Sequence, residues 1–74
     1  MTKFYDLETI VTDEITIHYF YYRERNDYYG NPRYRVFIIN STTNEVTVKL
    51  AHTYNVKDWV RSYIESPQYI KTPQ

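Results

Sequence analysis

His18 and His52 are the only histidines in a chain of 74 residues that contains no cysteine. Without cysteine there is no thiolate nucleophile, no disulfide and no cysteine-rich metal site. Ser41, Ser62 and Ser66 fall in a turn, on a polar helix face and at a helix end. None has the glycine-rich elbow that exposes a nucleophilic serine. The two histidines lack the helical i, i+4 spacing of a metal pair. Asp6 with Glu8, and Asp13 with Glu14, are close in sequence. Acid–base work would need a pocket to shift one carboxylate of such a pair, and a chain this short encloses little of one. Gly30 is the single glycine, too few for a loop that cradles phosphate. The expectation is a protein with no catalytic residue, no cofactor and no metal.

What remains is the chemistry of recognition. The chain has ten tyrosines, more than a core of this size can bury. Tyrosine gives large contact area at low entropic cost, and arginine joins it in interface hot spots. Tyr21, Tyr22, Arg23, Arg25, Tyr28 and Tyr29 concentrate both types at one hairpin end. Lys plus Arg equals Asp plus Glu at nine each, a balance that argues against a general nucleic-acid binder. The distribution is uneven. Asp6, Glu8, Asp13 and Glu14 make the start acidic, whereas Arg23, Arg25, Arg33 and Arg35 make the middle basic. Those arginines alternate with Phe20, Tyr22 and Phe37, the residue types that hold phosphates and stack bases on an open sheet. Nucleic acid is therefore the alternative partner to protein.

Residues 14–24 are β-branched and aromatic, with Ile15, Ile17, Tyr19 and Tyr21 on one face and Thr16, His18, Phe20 and Tyr22 on the other. Turn formers fill 26–32. A second strand over 33–40 places Tyr34, Val36 and Ile38 opposite Arg33, Arg35, Phe37 and Ile39. After a polar turn at 41–44, a third strand alternates Val46, Val48 and Leu50 with Glu45, Thr47 and Lys49. Asn55 is a good helix N-cap, with Asp58 three residues on. Val56, Trp59, Val60, Tyr63 and Ile64 then share one helical face until Ser66-Pro67 ends the helix. The first dozen residues suit either a helix turn or an edge strand with Tyr5, Leu7, Thr9 and Val11 on one side, and the strand is favoured.

The fold class expected is α+β, a single domain over 1–74: an antiparallel meander of three or four strands packed against one C-terminal helix, with 67–74 an extended or flexible tail. Ile15, Ile17, Val36, Ile38, Val46, Val48 and Leu50 are expected to meet the helix, with Trp59 in the core. The opposite face, with His18, Phe20, Tyr22, Arg33, Arg35, Phe37 and Ile39, needs a cover. The N-terminal segment, a second copy in a homodimer, or a partner would supply it. A domain this size buries only roughly 60% of its unfolded surface, which also favours self-association.

In length, absence of cysteine and richness in Tyr, Ile, Asn and Thr, the chain resembles small early proteins of phages that infect low-GC Gram-positive bacteria. Within that group it is similar to the small sliding-clamp inhibitors of staphylococcal phages. The resemblance implies a protein of the host cytoplasm that occupies the DNA channel of the host polymerase sliding clamp. Gln68-Tyr69-Ile70 departs from the Gln–aliphatic–aromatic peptide of ordinary clamp binders, so the peptide pocket is not the expected site. A basic channel wall would be met by Asp6, Glu8, Asp13 and Glu14, with the tyrosines packing. The order of sheet then helix also resembles the AP2 and integrase arm-binding domains, which read DNA with sheet arginines. No stretch approaches the roughly 20 apolar residues of a membrane span, and residues 1–10 do not read as a signal peptide.

Overall fold

Four antiparallel strands and one helix organise the computed structural model, which describes residues 3–69. The strands are β1 (Glu8–Val11), β2 (Thr16–Glu24), β3 (Arg33–Asn40) and β4 (Glu45–Ala51), and the helix is α1 (Val56–Glu65). Sheet order follows chain order, β1-β2-β3-β4, so every connection is a hairpin. This is the expected α+β meander with its C-terminal helix, and Glu8–Val11 of the first dozen residues form the favoured edge strand. No helix among the described residues is long and apolar enough to cross a membrane.

The core lies between one sheet face and α1. Ile10, Ile17, Tyr19, Val36 and Ile38 from the sheet, with Ile15 from the β1–β2 turn, are buried against Val56, Val60 and Ile64. These helix residues recur every fourth position, the stripe that one helix presents to one sheet. The helix starts where Asn55 Oδ1 accepts from Asp58 N at 3.3 Å and Asn55 Nδ2 donates to Asp58 Oδ2 at 2.7 Å. It stops at Ser66, whose extended backbone precedes Pro67 and whose N–H and hydroxyl both donate to Tyr63 O. Pro67 and Gln68 are exposed, and Tyr69 is buried with its ring 5.4 Å from that of Tyr63. Positions 70–74 of the expected loose tail lie outside the described residues.

Two expected faces are corrected. Val46, Val48 and Leu50 do not meet the helix. Asn40 pairs with Glu45 across a four-residue turn, and antiparallel partners share a face. Asn40 lies on the helix side, so Glu45, Thr47, Lys49 and Ala51 do too, and the valines are turned outward at 64% and 46% exposure. The turn itself is specific. Asn40 Oδ1 accepts from Thr42 N and Thr43 N, Asn44 N donates to Asn40 O at 2.7 Å, and Asn44 takes the left-handed conformation with φ 63. With only Ala51 of β4 buried, that side of the helix meets no apolar ridge. Trp59 is accordingly half-buried, stacked at 5.4 Å on Tyr63, while Lys49 Nζ lies 5.9 Å from the Tyr63 ring centre.

The second correction concerns the N-terminal segment. Phe4 bridges Tyr22, but Glu8 pairs with Tyr19. Three residues, Tyr5, Asp6 and Leu7, therefore oppose two, Phe20 and Tyr21, which is the count of a β-bulge. The bulge inverts the alternation. Tyr5 stacks on Tyr21 at 4.6 Å on the helix side, whereas Thr9 faces the other side and bonds His18. Tyr5 and Thr9 thus end on opposite faces.

Candidate protein-binding surfaces

The sequence-predicted residues separate into three regions of the sheet. Tyr22, Arg23, Arg25, Tyr28, Tyr29, Arg33 and Arg35 gather at the end that carries the β2–β3 loop. Asp13 and Glu14 lie at the opposite end, in the β1–β2 turn, and Asp6 and Glu8 lie along the β1 edge between the two. The structure does not bring all eleven together.

At the arginine end most of the charge is already engaged. Glu24 Oε1 accepts from Arg35 Nε at 2.8 Å, and its other oxygen lies 3.9 Å from Arg33. The hydrogen bond from Arg35 holds the Glu24 carboxyl below its usual range against the opposing effect of burial. Arg33 Nε donates to Arg25 O at 2.7 Å. The Arg23 guanidinium lies 5.0 Å from the Tyr34 ring centre and 5.6 Å from that of Tyr54, and it donates to Arg33 O and Asn26 Oδ1. This cation–π contact ties β2 to the segment between β4 and α1.

Asp27 organises the loop beyond. Its carboxylate accepts from Tyr29 N at 2.9 Å, Asn31 N at 2.8 Å and Asn31 Nδ2 at 3.1 Å. Its backbone accepts from Gly30 N and donates to Asn31 O, each at 3.0 Å. Donation from the Asn31 backbone is the main cause that lowers the Asp27 carboxyl pKa. Gly30 has φ +84, a conformation that favours glycine, which explains the one place glycine occurs. Tyr28 and Tyr29 stand at the tip, 94% and 84% exposed.

The acidic residues form a different surface. Asp6, Glu8, Asp13 and Glu14 are all exposed, and the first three make no ion pair among the described residues. The turn that carries Asp13 and Glu14 is shaped by Thr12, whose Oγ1 accepts from Ile15 N at 3.0 Å while its backbone N–H donates to Ile15 O at 2.9 Å. A crevice of about 190 Å³ separates this turn from the C-terminal end of α1, lined by Thr12, Asp13, Glu14, Ile15, Ile64 and Glu65. Glu65 extends the acidic edge, and it was not among the predicted residues. Its place depends on how the helix ends against the turn, a contact between segments far apart in sequence. No group of three metal-ligating side chains occurs among the described residues.

The sheet face away from the helix is more apolar than expected, because β4 adds Val46, Val48 and Leu50 to it. Phe20 and Phe37 stack at 5.0 Å and 10°. Phe4 caps them, 5.5 Å from Phe20 and 5.1 Å from Tyr22, and remains 48% exposed. The N-terminal segment therefore covers part of this face and leaves the β4 side open. Phe4, Val46 and Val48 were missed as surface residues, and Leu50, half-buried, was missed as a member of this face. The signal for β4 was the turn length, since four residues between Asn40 and Glu45 already fix the parity. Compared with known protein families, curated proteins and solved structures, the chain matches none.

Proposed function

We propose that this chain is a phage-encoded, non-catalytic binding protein that inhibits host DNA replication by occupying the DNA channel of the host polymerase sliding clamp, in the host cytoplasm. The observation that supports this reading is the segregation of charge. Asp6, Glu8, Asp13 and Glu14 lie along one edge strand and its turn, while Arg33 and Arg35 are held by Glu24. A chain of zero net charge thus offers an acidic edge to a basic channel wall. Tyr69 is buried, which fits a binder that does not use the peptide pocket.

The active species is a homodimer in this proposal. Two copies meet through the open sheet face, where Phe4, Val46 and Val48 are exposed. Such a pairing leaves both acidic edges outward. Sedimentation of the purified chain at micromolar concentration reads the dimer directly, and a monomer at all concentrations removes it.

Calorimetric titration of purified host clamp tests the main reading. Wild type is expected to bind, and Glu8→Lys/Asp13→Lys is expected to bind about tenfold or more weakly, with a smaller salt dependence. A wild-type chain with no affinity for the clamp sinks the reading. The alternative, a nucleic-acid regulator that uses the Tyr22, Phe37, Arg33 and Arg35 face, is supported by the aromatic cluster and opposed by Glu24 at its centre. DNA binding that weakens steeply with rising salt would favour that alternative.

A further inference from the structure

The β2–β3 loop has a feature that neither the core nor the acidic edge uses. Tyr28 and Tyr29 project almost wholly into solvent, 94% and 84% exposed, and their rings meet edge to face at 5.3 Å and 86°. Exposed rings on a slack loop would mean little. These rings sit on a loop closed by hydrogen bonds from Tyr29 N, Asn31 N and Asn31 Nδ2 to the Asp27 carboxylate and by paired backbone bonds between Asp27, Gly30 and Asn31. Arg23 and Arg33 brace the strand ends below through Asn26 and the Arg25 carbonyl. A braced loop loses little conformational freedom when it binds, and tyrosine itself has few rotors to freeze.

We propose that Tyr28 and Tyr29 form a preorganised two-ring anchor that inserts into an apolar pocket on the protein partner. The ring geometry separates this from nucleic-acid stacking. Bases bound in succession on an aromatic platform lie nearly parallel, and two rings crossed at 86° are not laid out as such a platform. Crossed rings make a ridge, the shape that fills a concave site. The anchor lies at the end of the sheet opposite Asp13 and Glu14, so a partner that engages both spans the length of the strands. The inference rests on the reading of the chain as a clamp binder, since the clamp is the partner that tests it.

The experiment compares full-length wild type with Tyr28→Ala/Tyr29→Ala, Tyr28→Phe/Tyr29→Phe and Asp27→Ala in calorimetric titrations with purified host clamp. The exposure of both rings means that all tyrosine variants keep the wild-type melting temperature. The alanine pair is expected to weaken binding about thirty-fold or more, as loss of hot-spot aromatics does. The phenylalanine pair keeps most of the affinity, and Asp27→Ala falls between, because it loosens the loop without removing the rings. Equal affinity for wild type and the alanine pair overturns the anchor and leaves clamp binding intact. Absence of clamp binding by wild type overturns both, and so the two failures are distinguishable.

Discussion

Glu24 is the residue on which the arginine-rich end turns. It sits 19% exposed between Arg35 and Arg33, with Arg35 Nε bonded to Oε1 at 2.8 Å. Exposed ion pairs contribute little, but here one carboxylate answers two guanidinium groups on the neighbouring strand. Because the folded-state pKa of Glu24 is lowered, its contribution is present above the unfolded carboxylate range and is lost as pH falls through the folded value. Glu24→Gln is therefore expected to lower the melting temperature by about 3 °C at pH 7, with the deficit shrinking as acid takes the solution through the folded-state value. Thermal melts of both proteins over an acid titration check this, and a deficit that stays the same down to the acid unfolding of the wild type would show that the charge is not the cause. Asn40, fully buried, is the other decisive side chain. Its Oδ1 caps the β3–β4 turn.

At the scale of elements, β4 and α1 divide unequally. The helix buries Val56, Val60 and Ile64 completely, but only Ala51 of β4 is buried. Val46 and Val48 lie outward because the turn fixes parity, whatever their hydrophobicity. Trp59 is left against the Tyr63 ring and the rim of the core. Ile64→Ala is expected to cost about 3 kcal/mol, within the usual range for a buried isoleucine, and Trp59→Ala only about 2 kcal/mol, below the range for a buried tryptophan. Urea denaturation of both variants tests the order. A larger cost for Trp59→Ala would return that ring to the centre of the core. The N-terminal strand shows a comparable division. Its bulge before Glu8 and its four-residue length protect that edge from pairing, whereas β4 runs for seven residues.

Among the described residues one sheet and one helix form two layers, with principal extents of 36 × 26 × 19 Å. Its core is unusually phenolic. Tyr19, Tyr34 and Tyr69 are buried and Tyr21 packs beside them. Burial is the leading cause that raises the pKa of all four hydroxyls. A phenol with a raised folded pKa contributes stability that is full below the unfolded value near 10 and is lost as pH rises through the folded value. Alkaline titration should therefore show part of the phenolate absorbance appearing together with loss of the far-ultraviolet dichroism. If every tyrosine ionises before any secondary structure is lost, the phenols are not held by the fold. Charge at this scale is balanced overall and divided locally, with carboxylates along β1 and arginines at the far hairpin.

Much of the fold was legible in the chain itself. Alternation placed Ile17, Tyr19, Val36 and Ile38 on one face, and fourfold spacing with Asn55 as cap defined the helix, because these patterns follow from backbone period alone. The division into an acidic start and a basic middle was equally plain in the order of residues. Which side β4 shows was carried by the four-residue turn between Asn40 and Glu45, since alternation gives a phase and the turn length sets its direction. Only the tertiary structure decided that Glu24 occupies the arginines, that a bulge sends Tyr5 and Thr9 to opposite faces, and that Glu65 joins the acidic edge. Each of these depends on pairing between residues distant in sequence, and no local pattern encodes that distance.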